Sequence, residues 1–132
     1  FACEVATAAP LAASYAAGSP QSIERRPSFV DGIGGSAVLA EMWPLARAWL
    51  AGSCVVRLEG IAEAIRVLVS RARVVAEGAG ASSLAVALGS GEAISAGGTP
   101  VALPSGPLVC VVSGGNLDAA TLAEILLGRL PD

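Results

Sequence analysis

A chain of 132 residues, of which 54% are hydrophobic and 14% charged, is long enough for one domain with a core and too short for two ordinary domains. Its net charge of −3 and its lack of a basic block exclude a typical nucleic-acid-binding protein, which needs clustered Lys and Arg. All 8 basic residues are Arg and no His occurs, so the chain can form neither a lysine Schiff base nor a His-dependent triad.

Three elements are predicted in the first part of the chain. An apolar strand covers residues 1–5, and an Ala-rich helix covers residues 10–17. After a loop that contains several prolines, a second helix is predicted over residues 36–50. Ser36 is a suitable N-cap for it, and Pro44 kinks or shortens it.

The middle of the chain alternates between strand and helix patterns. A short strand is predicted over residues 53–58. Apolar residues at three- and four-residue spacing then predict an amphipathic helix over residues 59–76. A helix of small residues follows over residues 81–88, and a long Gly-, Ser- and Pro-rich loop contains one short strand near residues 101–103.

The last part contains the most hydrophobic run. Residues 108–112 (Leu-Val-Cys-Val-Val) are apolar without alternation, which predicts a central parallel strand buried on both faces. A tight turn over residues 113–116 and a helix over residues 118–127 complete the chain. Alternating strands and helices indicate an α/β fold built on an open, mostly parallel sheet flanked by helices.

The cysteines and the ends of the chain give two further expectations. Cys3, Cys54 and Cys110 are odd in number and lie in apolar runs, which favours buried thiols in a reducing, cytoplasmic compartment. A disulfide or a reactive thiolate is the alternative. The sequence has no uninterrupted apolar stretch long enough to predict a membrane span. The chain begins at Phe1 within a predicted strand, so we expect it to be a fragment or a processed piece.

Three turns are candidate ligand sites, because ligands of open α/β sheets bind beyond the carboxyl ends of the strands. The turn 113–116 (Ser-Gly-Gly-Asn) presents a hydroxyl, two glycines and the start of a helix. The turn 77–81 (Glu-Gly-Ala-Gly-Ala) presents a carboxylate in apolar surroundings, and the turn 31–33 (Asp-Gly-Ile) is the third. Each also has an ordinary structural interpretation, as a sharp turn or as a solvated Glu at a helix end.

The order of these turns, after a strand that carries Glu4, resembles a known family. It is similar to the C-terminal half of the fold type II pyridoxal-phosphate-dependent threonine/serine dehydratases and serine racemases. The resemblance covers nearly all of the chain, and Ser-Gly-Gly-Asn after a hydrophobic strand is its most specific element. It implies that residues 1–132 are the C-terminal portion of the large domain, with the Schiff-base lysine in an N-terminal half absent from this chain.

The resemblance implies pyridoxal 5'-phosphate as the cofactor. Ser113 would hydrogen-bond the pyridine nitrogen, Gly32 and Gly114 would lie against the cofactor, and Glu77 would lie close to the polar edge of the ring. A hydroxyl does not hold that nitrogen protonated, so the ring is a weaker electron sink and loss of a β-leaving group is favoured. No residue of this chain is implied to be catalytic.

The resemblance also implies a divalent cation beside the first strand. Glu4 would supply a carboxylate and Ala8 a backbone carbonyl, together with an acidic residue six positions after the Glu. This sequence has Pro10 there, which has no side-chain oxygen, and hard cations need several oxygen ligands. A plain Glu at the end of a strand is the alternative.

The function implied for the complete protein is that of an ammonia-lyase, which eliminates water from serine or threonine to give a 2-oxo acid and ammonia. One alternative is a racemase of the same family, which acts on serine or another amino acid. The other is a non-catalytic α/β piece that binds a ligand or a partner. The expected partners are a hydroxy amino-acid substrate and the missing N-terminal half or a partner chain. An apolar sheet edge favours a homodimer or a larger assembly, and we do not expect this segment alone to be active.

Overall fold

The computed structural model describes residues 1–131. In chain order the elements are β1 (Ala2–Val5), α1 (Pro10–Ala17), α2 (Trp43–Trp49), β2 (Ser53–Val56), α3 (Leu58–Val67), α4 (Gly78–Ala87), β3 (Glu92–Ile94) and α5 (Ala119–Leu126). A π-helical turn, Leu68–Ala72, extends α3, and a 3₁₀ turn, Ala96–Gly98, follows β3.

The described strands form one sheet in the order β1-β2-β3. β1 and β2 are parallel, with Cys3 opposite Cys54, and the long connection that joins them contains α1 and α2. β3 is a short antiparallel strand on the other edge of β2. The predicted class, α/β with an open sheet flanked by helices, is confirmed.

The hydrophobic core lies between the sheet and the helices α3, α4 and α5. α3 packs along α4 and also contacts α5. The apolar stripe predicted for α3 is the face that contributes Ile61 and Ile65, both fully buried, and Ile125 of α5 completes the cluster. The amphipathic pattern thus identified the buried face as far as Leu68, but Ala72 and Val75, which it also placed on that face, are exposed.

The first predicted strand and helix are confirmed, and α1 ends at Gly18 in the left-handed conformation (φ 71°). The helix predicted over residues 36–50 is wrong in its first half. The Ile23 N–H donates to the Ser36 carbonyl (2.7 Å) and the Val38 N–H donates to the Gln21 carbonyl (3.1 Å), so this stretch pairs with the preceding loop. α2 begins only at Trp43, because Pro44 with its fixed φ suits the first turn of a helix.

The helix predicted over residues 59–76 ends early. After the π-helical turn, Arg73 takes the left-handed conformation (φ 59°), and its guanidinium donates to the Ser70 carbonyl at 2.6 Å. The next helix, α4, begins at Gly78, three residues before the predicted start. The helix predicted over residues 118–127 is confirmed as α5, with Asp118 at its N-cap position.

The short strand predicted near residues 101–103 is misplaced. The strand of this region is β3, and the Val101 N–H donates to the Ala93 carbonyl (2.9 Å) from a segment that runs beside it. The segment forms only an isolated bridge to β3 because Pro100, at that bridge, has no N–H to donate to a ladder.

The central buried strand predicted for residues 108–112 is wrong for the part of the chain that the structure describes. These residues pair with no strand, and Val109 is 93% exposed. Their side-chain hydrogen bonds go to α4, where the Ser83 hydroxyl donates to the Val111 carbonyl (2.7 Å) and the Cys110 thiol donates to the Ser83 carbonyl (3.5 Å). An apolar, β-branched run needs a neighbouring strand to complete a ladder, and residues 1–131 supply none here. Over the same residues, no helix is long and apolar enough to cross a membrane.

Candidate functional site

The structure brings together the three turns that the sequence singled out. The Glu77 N–H donates to the Gly114 carbonyl (3.2 Å), and the Asn116 N–H donates to the Glu77 carboxylate at Oε2 (3.0 Å). Gly32 packs against Oε1 of the same carboxylate. The start of α4 is therefore joined to residues 113–116, which we call the Ser113 turn, and to the turn 31–33.

Glycines permit this close approach. A Cβ atom at Gly80 would overlap the Ser113 carbonyl, and one at Gly114, which has a φ of 76°, would overlap the Glu77 carboxylate. A Cβ atom at Gly32 would lie 2.9 Å from both the Ala79 Cβ and the Glu77 Oε1. At Gly80 the neighbour is backbone, so a side chain has no room, and at Gly114 the positive φ itself favours glycine.

Ser113 is an exposed residue at the edge of a cavity of about 350 Å³. Within residues 1–131 its hydroxyl makes no hydrogen bond, although its carbonyl packs against Gly80. The cavity, which we call the Ser113 cavity, is lined by residues from both described parallel strands, from α4 and from the loop before the Ser113 turn, among them Cys3, Cys54, Ser82, Ser83, Cys110 and Ser113.

All three cysteines line the Ser113 cavity, which the sequence did not predict. They are free thiols; Cys54 is buried, and Cys3 and Cys110 are half-buried. Burial raises the pKa of the Cys3 thiol, and the neighbouring Cys54 and Cys110 raise it further; burial also raises the pKa of Cys54. The sequence did place Cys3 and Cys54 in two predicted strands. The strand register that puts the two residues side by side is set by tertiary structure, so their proximity could not be predicted.

Glu4, the candidate cation ligand, is buried and fully engaged with its own fold. Its Oε1 accepts the Leu11 N–H (2.8 Å), and its Oε2 accepts the Ala12 N–H (2.8 Å) and the Ser53 hydroxyl (2.7 Å). The carboxylate therefore caps the free amides of the first turn of α1. Ala8 is also buried, and its N–H donates to the Val5 carbonyl (2.8 Å). Residues 1–131 contain no cluster of three or more His, Cys, Asp or Glu side chains that could hold a metal, so the cation stays a prediction.

The structure thus gathers Gly32, Glu77, Ser113 and Gly114 at one place, and it puts Glu4 and Ala8 elsewhere, at the start of α1. Of these four residues, Ser113 is the one that lines the Ser113 cavity, while Gly32 and Gly114 pack against the Glu77 carboxylate behind it. The contact of each of these residues with a cofactor stays a prediction.

Comparison with known proteins supports one family. Residues 1–116 match the sequence profile described as "Pyridoxal-phosphate dependent enzyme". The chain is 32% identical over 116 residues to the L-threonine ammonia-lyase of Thermotoga maritima, a match that covers 88% of this chain and 26% of that protein. The crystal structure of the T.th. threonine deaminase superimposes with a TM-score of 0.61 and 30% identity, covering 65% of this chain and 29% of that one. The chain therefore spans between a quarter and a third of the length of these relatives, and it belongs to the family of pyridoxal-phosphate-dependent enzymes.

Proposed function

We propose that this chain is the C-terminal portion of the large domain of a pyridoxal-phosphate-dependent ammonia-lyase. The complete enzyme would eliminate water from threonine or serine and release a 2-oxo acid and ammonia. The observation that carries the proposal is the position of Ser113, an exposed residue that lines a cavity and lies on a turn held by Glu77 and packed against Gly80. Relatives named L-threonine ammonia-lyase and threonine deaminase support the reaction class.

Pyridoxal phosphate, when bound, supplies the electron sink that withdraws electrons from the α-carbon of the amino acid. Ser113 is proposed to hydrogen-bond its ring nitrogen. A serine hydroxyl both donates and accepts, so it can meet the nitrogen without adding a charge. A carboxylate at the same place would hold a proton on the nitrogen, and the hydroxyl therefore suits an elimination that needs a weaker sink.

Gly32 and Gly114 are proposed to form the close wall of the cofactor site. A Cβ atom added at either glycine would meet the Glu77 carboxylate, so the backbone at both positions lies close to that side chain. A flat ring needs a wall of this kind, where backbone atoms come within van der Waals contact of its face or edge. Glu77 lies between the two glycines, beside the position proposed for the polar edge of the ring.

The covalent anchor must come from outside this chain, since the sequence contains no Lys. We propose that the N-terminal half, or a partner chain, packs on residues 108–112. Leu108, Val109 and Val111 are exposed there although they are apolar and line the Ser113 cavity. An exposed apolar run that pairs with no described strand suits the addition of another strand. We expect the assembled enzyme to form a homodimer or a larger assembly, and the three free thiols support a reducing, cytoplasmic location.

A divalent cation near Glu4 and Ala8 is a second part of the proposal. Glu4 would have to serve as a ligand while it caps α1 and accepts the Ser53 hydroxyl. Pro10 supplies no third side-chain oxygen, so water or the remaining polypeptide would supply the other ligands. Thermal unfolding of the protein with Mg²⁺, Ca²⁺ or EDTA tests this: a bound cation raises the melting temperature, and an unchanged temperature contradicts the site.

The proposed function is tested by adding L-threonine, L-serine or D-serine to the complete protein with pyridoxal phosphate. We expect a 2-oxo acid and ammonia in equal amounts from L-threonine or L-serine. Formation of the opposite enantiomer without ammonia would assign the racemase reaction instead. A protein that neither binds pyridoxal phosphate nor changes these amino acids would overturn the proposal and favour a non-catalytic binding role.

A further inference from the structure

Glu77 contacts the Ser113 turn through two separate groups. Its backbone N–H donates to the Gly114 carbonyl (3.2 Å), and its side-chain Oε2 accepts the Asn116 N–H (3.0 Å). One residue at the N-cap position of α4 therefore holds two points of a turn that lies far along the sequence, with Asn116 separated from it by 39 residues.

The Glu77 carboxylate is also confined by its surroundings. A Cβ atom at Gly32 or Gly114 would meet Oε1, and Glu77 is half-buried, although its hydrogen bond with the Asn116 amide is exposed. The one ion pair within residues 1–131, between Arg66 and Glu63, does not involve it. Its hydrogen-bond partner is a backbone amide, which requires an acceptor oxygen and not a negative charge.

We propose that Glu77 is a positioning residue that fixes the Ser113 turn through this acceptor. By holding Gly114 and Asn116, it sets where the Ser113 hydroxyl lies at the cavity. This assigns Glu77 a role through Ser113, in place of a charge presented directly to the edge of the cofactor ring. The contact of the Ser113 hydroxyl with a cofactor rests on the proposed function. The positioning of the turn by Glu77 does not.

The two roles differ in what a glutamine would do. Gln keeps an oxygen that can accept the Asn116 N–H and loses the charge, whereas Ala removes the acceptor. The variants are therefore Glu77→Gln and Glu77→Ala, with Glu41→Ala as the control, because Glu41 is exposed and lies in a different part of the chain. The measurements are amide hydrogen exchange of Asn116 and the dissociation constant of pyridoxal phosphate, each in the complete protein.

We expect Glu77→Ala to raise the exchange rate of the Asn116 amide about tenfold or more, as the loss of a hydrogen bond to a carboxylate should. It should weaken cofactor binding in parallel. Glu77→Gln should stay within about threefold of the unsubstituted protein in both measurements, because a neutral acceptor still meets the amide. Unchanged exchange of the buried Ile65 amide in α3 shows that each variant is folded.

Two results would overturn the inference. Asn116 exchange that does not change in Glu77→Ala means that the carboxylate does not hold the turn. A Glu77→Gln protein that keeps Asn116 protected but loses the cofactor as completely as Glu77→Ala means that the charge, and not the hold on the turn, is what matters. If exchange behaves as expected and no variant or parent protein binds pyridoxal phosphate, the proposed function fails while the hold on the turn stands.

Discussion

Cys3 lies directly opposite Cys54 in the parallel register of β1 and β2, and both residues line the Ser113 cavity. Paired residues on neighbouring strands point to the same face of the sheet, so the two thiols are neighbours on the cavity wall. Burial is the main cause of the raised pKa values of both thiols. Because the pKa values are raised, both thiols stay protonated at neutral pH.

The first prediction concerns the reactivity of these two thiols. The thiolate is the nucleophile, so Cys3 and Cys54 should react with iodoacetamide several-fold more slowly at pH 7.5 than a free cysteine peptide does. The rate should keep rising as the pH passes 9.0, the ordinary value for a thiol. Mass spectrometry of the labelled peptides measures each site. Labelling at the rate of free cysteine would contradict the burial seen at the cavity.

The second prediction follows from the same pKa shifts and concerns stability. A thiol with a raised pKa in the folded state holds its proton more tightly there than in the unfolded chain. Above pH 9.0 the unfolded chain loses its protons first, so the free energy of unfolding should fall as the pH rises further. Urea unfolding from pH 8 to pH 10.5 measures this. Replacing both residues, as Cys3→Ser with Cys54→Ser, should flatten the alkaline decline, and an equally steep decline would contradict the assignment.

The third prediction concerns Glu4 as the cap of α1. Glu4→Ala removes the acceptor of two backbone amides and of the Ser53 hydroxyl, all of them fully or partly buried. We expect the free energy of unfolding to fall by about 2–4 kcal/mol. Glu24→Ala, at an exposed loop residue, is the matched control and should change it by less than about 0.5 kcal/mol. A loss in Glu4→Ala as small as that of the control would show that the carboxylate does not cap α1.

The fourth prediction concerns the contact between α4 and the Ser113 turn. Gly80→Ala would place a methyl group in the space of the Ser113 carbonyl, so we expect a loss of about 1–3 kcal/mol and a displaced turn. Gly35→Ala is the control, since the nearest atom to its added Cβ lies 3.7 Å away. Urea unfolding compares the two variants. If Gly80→Ala is as stable as Gly35→Ala, the close approach does not exist in solution.

Local patterns predicted the parts of the fold that depend on neighbouring residues. The small-residue helix ending at Gly18 and the stripe of α3 with Ile61 and Ile65 follow from spacing and capping alone. The start of α2 was predicted too early because residues near Ser36 pair with an earlier loop. Pairing with a distant segment leaves no local sequence pattern.

Features that depend on a distant partner were not predictable in the same way. Residues 108–112 have the composition of a buried strand, but a strand also needs a neighbour, and the described part of the chain offers none. The meeting of Gly32, Glu77 and Ser113 was expected from the resemblance and from the rule about the carboxyl ends of strands. The contact of Glu77 with Asn116, and the gathering of three thiols, depend on tertiary structure and were not predicted.

The most direct test of the account is the rate of 2-oxo acid formation from L-threonine by the complete protein carrying Ser113→Ala. Ser105→Ala, at an exposed position in the preceding loop, is the matched control. We predict that Ser113→Ala lowers kcat about tenfold or more while thermal unfolding stays within about 2 °C, and that the control leaves both unchanged. Deamination by Ser113→Ala at the rate of the unsubstituted protein would contradict the central claim that this hydroxyl serves the cofactor.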